Sequence, residues 1–129
     1  MAATPLFIAT PQIWQAQVTA ANTNRDGTGT LVTLVTGNTT PGTRLDKIRA
    51  QAAGSTTLGI IRYFLNDGTN KRLIKERPVL AVTPSASAPA FEDEWTLQDG
   101  LVLPNASWSI MVGTHNGETF NIFGFGGNL

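Results

Sequence analysis

The sequence predicts an all-β fold, an antiparallel β-sandwich best drawn as a jelly roll of about eight strands. Three observations point there. No segment of a dozen residues keeps apolar side chains at the i, i+3, i+4, i+7 spacing of a capped helix. Short apolar or alternating runs recur along the whole chain. Clusters of turn formers, such as Asn66-Asp67-Gly68 and His115-Asn116-Gly117, separate those runs.

Taken in order, Leu6 to Ala9 reads as a short first strand closed by Thr10-Pro11. Ile13 to Ala21 follows, with Trp14, Ala16, Val18 and Ala20 on the face opposite Gln15, Gln17 and Thr19. The polar loop Ala21 to Gly29 leads to Thr30 to Thr36, whose β-branched composition suits a strand buried on both faces. Thr43 to Ala53 reads as a strand, with a one-turn helix through Leu45, Ile48 and Ala52 as the rival. Leu58 to Leu65 is the clearest core strand, and the Asn66–Gly68 turn sends the chain back through Arg72 to Val82. Pro78 marks a bulge, an edge or a change of sheet, because proline donates nothing to the ladder. Phe91 to Leu97 alternates, Gln98-Asp99-Gly100 turns the chain into Leu101 to Leu103, and Ser107 to Gly113 carries Trp108, Ile110 and Val112 inward. His115-Asn116-Gly117 reads as a second hairpin into the last strand, Thr119 to Phe125. An immunoglobulin-like sandwich is the alternative, weakened by the missing cysteine pair and the uneven early loops. Residues 1–129 read as one domain.

Composition narrows the function. Nine basic residues balance nine acidic ones and are scattered, which argues against a nucleic-acid partner. Charged residues make up only 14% of the chain, and a surface so poor in charge invites association. The chain has no cysteine, so disulfides and Cys-ligated zinc are excluded and synthesis in a reducing cytoplasm fits. Its apolar runs are far shorter than the ~20 residues of a membrane-spanning helix, so no membrane partner is expected. Met1 to Thr10 lacks the basic start and apolar run of a secretory signal.

Catalysis needs a nucleophile, a base and an orienting group, and the one histidine, His115, sits in a turn. An exposed turn histidine is the favoured reading, ahead of a pH-sensitive subunit contact. Glu92-Asp93-Glu94 places Glu92 and Glu94 on one strand face. A solvated face is favoured there over inter-subunit ion pairs, and a hard cation helped by Asn24 and Asp26 ranks below both. Lys75 and Arg77 share a face of their strand and read either as charges guarding an edge or as a docking patch for the acidic residues of another copy. The glycines of Phe123-Gly124-Phe125-Gly126-Gly127 lack the following helix that a phosphate cradle requires. Trp14, Trp95 and Trp108 suit a core better than a sugar platform. No enzyme and no cofactor are expected.

The run Gly54 to Gly68, the Pro84–Pro89 loop followed by Phe91, the Leu101-Val102-Leu103-Pro104 segment and the closing Glu118 to Gly127 resemble small virion proteins of tailed phages and prophages. The similarity extends from about Val18 onward. It implies a capsid decoration (cement) protein with a jelly-roll fold, bound to the major capsid protein and to itself as a homotrimer on the virion surface. The family offers no catalytic motif to carry over. The arm Ala2 to Gln12, with Pro5 and Phe7, suits either a first strand of its own fold or an extended segment added to a neighbour's sheet. A tail, neck or head-fibre component and a glycan-binding β-sandwich module are the alternative functions.

Overall fold

The computed structural model describes residues 8–39 and 41–129, apart from the side chain of Asp99. The described residues form β1 (Thr10–Val18), β2 (Val32–Thr36), β3 (Thr43–Ala52), β4 (Gly59–Asn66), β5 (Lys71–Val79), β6 (Glu92–Leu103), β7 (Ser109–Thr114) and β8 (Phe120–Asn128), with no helix among them. Two four-stranded sheets face each other, in the orders β1-β8-β3-β6 and β2-β7-β4-β5. All neighbouring strands are antiparallel.

The pairing β1 with β8, β2 with β7, β3 with β6 and β4 with β5 describes one long ribbon folded back at its middle. Wrapping that ribbon into a sandwich adds the contacts of β3 with β8 and of β4 with β7. This is the jelly roll that the spacing of strands and turns predicts. The immunoglobulin-like alternative falls away with it. The inward side chains of both sheets, among them Val35, Leu45, Ile48, Ile61, Tyr63, Ile110, Val112, Phe120 and Ile122, make one apolar core. Trp14, Trp95 and Trp108 pack half-buried against it.

Several local expectations change. Thr43–Ala52 is a strand, and its helix-like spacing has a different cause. The registers of β3 with β6 and with β8 both slip between Leu45 and Lys47, which makes Asp46 a bulge residue. The bulge shifts the inward phase by one, so Leu45 and Ile48, three apart, both reach the core. Opposite it, Gln98-Asp99-Gly100 is not a turn between strands. Leu97 to Gly100 belong to the continuous β6 and stand against Asp46 alone, with Gly100 at φ 74°. Thr10-Pro11 opens β1 instead of closing an earlier strand, and proline is tolerated because β1 is an edge. The Leu6–Ala9 strand falls mostly outside the described residues, and so do Pro5 and Phe7.

His115-Asn116-Gly117 reverses the chain but makes no hairpin, because β7 and β8 lie in different sheets. Among the described residues, the one hairpin between consecutive strands is β4–β5, where the Asp67 carboxylate accepts the amides of Thr69 and Asn70. Leu58 is 72% exposed and lies outside β4, contrary to its expected place in a core strand. Strand β2 is an edge whose register slips between Thr33 and Val35, so Leu34 and Val35 are both buried while Thr33 and Thr36 are exposed. Pro78 lies on the edge strand β5, exposed and opposite Ile60.

The glycines of β8 serve close packing. A Cβ on Gly124 would press on Val35, Leu45 and Trp14 at 3.1 to 3.3 Å, and one on Gly126 would run into the carbonyl oxygen of Arg44. Gly126→Ala is therefore expected to destabilise the fold by ~1–3 kcal/mol, since the obstacle is backbone and cannot turn aside. Gly54→Ala, with open space around it, is the control and stays within about 0.5 kcal/mol of the parent. Urea unfolding of both variants measures the difference.

Candidate functional site

The alternation that fills the core turns a second set of side chains outward from the β1-β8-β3-β6 sheet. The registers arrange them in rows. Ile13, Phe125, Lys47 and Thr96 form one row, Gln15, Phe123, Arg49 and Glu94 the next, and Gln17, Asn121, Gln51 and Glu92 the third. Across this face the chemistry changes from apolar and amide to ionic. At the β1 side Ile13 is 62% exposed, and the Gln17 amide donates to the Asn121 side-chain oxygen at 3.0 Å. In the middle the Lys47 ammonium stands 5.0 Å from the centre of the Phe125 ring. At the β6 side Arg49 donates to both Glu92 and Glu94, and Lys47 approaches Glu94 at 3.5 Å.

The opposite flank of the sandwich, between edge strands β5 and β6, is clamped. Arg77 donates through Nε and Nη2 to the two carboxylate oxygens of Asp93, each at 2.8 Å. That two-pronged bond joins the sheets at their edges. Lys75 lies 5.9 Å from the Trp95 ring, and Trp95 packs on Tyr63 at 5.3 Å between ring centres. Burial, with a smaller push from the Asp93 charge, raises the Tyr63 phenol above its ordinary pKa, so it stays neutral.

On the outer face of the β2-β7-β4-β5 sheet, Arg62 points away from the core yet is only 2% exposed. The loop between β1 and β2 lies over it. Arg62 donates to Glu76 at 3.0 Å and to the Asn22 carbonyl at 3.4 Å, and Arg25 from the same loop donates to Glu76 at 2.8 Å. The buried Asn22 amide holds the loop in shape through the carbonyls of Thr28 and Thr30, while its oxygen accepts the Asn24 amide. The hydrogen bond and charge of Arg25, then those of Arg62, hold Glu76 below the ordinary glutamate range.

The sequence candidates therefore separate. Glu92 and Glu94 share a face as expected and meet Arg49 of their own chain. Arg77 meets Asp93, the carboxylate between them, so its partner is internal. Lys75 sits beside Arg77 on the clamped flank, over an aromatic ring. His115 is exposed and its amide donates to the Ile60 carbonyl. Sequence reasoning missed Arg49, Asn22 and Arg62. The signal for Arg62 was a lone charge inside the apolar run Ile60-Ile61-Arg62-Tyr63-Phe64. Trp14 and Trp95 lie on the two opposite edge strands of one sheet and form no shared platform. Among the described residues, no group of three or more His, Cys, Asp or Glu side chains could hold a metal ion.

The Glu76 network gives stability a pH dependence. Its folded pKa lies below the unfolded one, so its contribution is present near neutrality and is lost as pH falls from about 5 through the folded value. Asp26 and Asp67, lowered by the Thr28 bonds and by the Asn70 and Thr69 amides respectively, add to the same acid limb. Glu76→Gln should flatten part of that limb, read as melting temperature against pH. Arg25→Ala, on an exposed pair, should cost no more than ~1 kcal/mol, and Arg62→Ala distinctly more. No family model, curated protein or solved structure matches the chain.

Proposed function

We propose that the protein is a virion structural protein that decorates the outer surface of a tailed-phage head and stabilises it. In this reading it binds the major capsid protein and other copies of itself, and it is no enzyme. The observation that carries the reading is the uncharged edge of β1 beside the outward side chains of Ile13, Phe123 and Phe125, which span two neighbouring rows. A protein that works by covering and clamping neighbours needs broad lateral surface of this kind. The sequence resemblance to virion proteins, the low charge and the zero net charge all favour the same role.

The jelly roll fits this role without deciding it, since the architecture serves capsid and lectin domains alike. Separation of Trp14 and Trp95 on opposite sheet edges favours assembly over sugar binding.

Antibody labelling of intact virions tests the reading. Label spread over the head, together with heads that open at lower temperature when the protein is absent, is the expected result. Label confined to the tail or neck would reassign the protein to that part of the particle. Particles that carry none of it would end the virion reading.

A further inference from the structure

Four strands lie at sheet edges, namely β1, β6, β2 and β5. An open edge is a template for another strand, and proteins blunt edges with charge, proline, bulges or shortness. Three of the four are blunted. Strand β5 carries Lys71, Arg72, Lys75, Glu76, Arg77 and Pro78. Strand β6 carries Glu92, Asp93 and Glu94, and its middle bulges at Leu97 to Gly100. Strand β2 has five residues and a register slip. Strand β1 has nine residues and no charged side chain, and beyond Pro11 nothing interrupts it. Its register against β8 runs without a slip from Thr10 to Val18, so its other side, unpaired among the described residues, is a regular ladder as well.

We infer that β1 is a self-pairing edge: two copies join β1 to β1 antiparallel about a twofold axis through Gln15, making one continuous eight-stranded sheet. The occupant is a second copy because the strand is complementary to itself. Antiparallel pairing centred on Gln15 sets Trp14 against Ala16, large against small, on the core side. On the outer side it sets Ile13 against Gln17 and Gln15 against its own symmetry mate, where two amides can bond. No like charges meet anywhere along the strand, and the chain has zero net charge to oppose association.

The surface around the edge has room for this. A shallow depression of about 480 Å³ is lined by Gln15, Ala16, Gln17, Asn121 and Phe123, and a smaller one of about 170 Å³ by Ile13, Trp14, Gln15 and Phe123. Both are lined mostly by β1 residues, with β8 residues beside them, so side chains of a paired copy would enter there. Such a contact is isologous and closes at two copies. It differs from the threefold assembly that the family resemblance implies, which requires a head-to-tail contact, and it does not depend on the virion reading.

Charge swapping at the twofold tests the pairing. Light scattering on the eluting protein should give about twice 13.7 kDa for the parent. Gln15→Lys and Gln15→Glu, each placing like charges face to face, should elute at once that mass with unchanged thermal unfolding of the monomer. Mixing the two variants should restore the doubled mass. A parent that is monomeric or trimeric, or a dimer untouched by both variants, would overturn the inference. So would dissociation that mixing does not repair. A monomeric parent whose Gln15→Lys variant loses binding to phage heads would overturn it too, by assigning the edge to the shell.

Discussion

The architecture depends on how thin β8 becomes from Gly124 onward. This strand lies between β1 and β3 and is pressed from the other layer by Val35, so it contacts more of the molecule than an edge strand does. Gly124 leaves the space that Trp14, Leu45 and Val35 fill, and Gly126 lets the backbone of β3 come up to its own. Phe120 and Ile122 fill the core at the start of the strand, and where the glycines follow its bulk lies on the other side, as Phe123 and Phe125. Close packing inside and an apolar strip outside are two results of one alternating sequence.

Charge is distributed to match. Most ion pairs bridge strands or fasten a loop, and the Arg77–Asp93 pair spans the two sheets. The exposed pairs among them add little stability one by one. Their larger effect is to keep the β5 and β6 edges unattractive to other strands. The Arg62–Glu76–Arg25 cluster differs, because Arg62 is out of water and needs its partners. It fastens the β1–β2 loop to the sheet below, and the Asn22 amide shapes that loop from within.

Strand content and the sandwich class were legible because alternation and turn residues are local signals. Connectivity was not equally legible. Asn66-Asp67-Gly68 and His115-Asn116-Gly117 look alike as turns, yet one joins neighbours within a sheet and the other crosses between sheets. The difference lies in where the flanking strands find partners, which is a property of the whole fold. The bulge at Asp46 hid for a related reason, since a one-residue slip makes a strand imitate helical spacing. At the candidate surface, the shared face of Glu92 and Glu94 could be read directly. That Arg49 would stand beside them follows from the distant pairing of β3 with β6, and that Asp93 meets Arg77 follows from how the edges of the two sheets come together.

The folded-ribbon order has a consequence for synthesis. The strands pair first with last, second with second-to-last, and so on, so only β4 and β5 find each other as soon as they are made. Until β8 emerges, β1 and β3 have no strand between them, and their apolar faces must wait uncovered. A growing chain of this order leaves apolar faces and strand edges unpaired until its last strand is made, the condition under which unfinished chains associate wrongly.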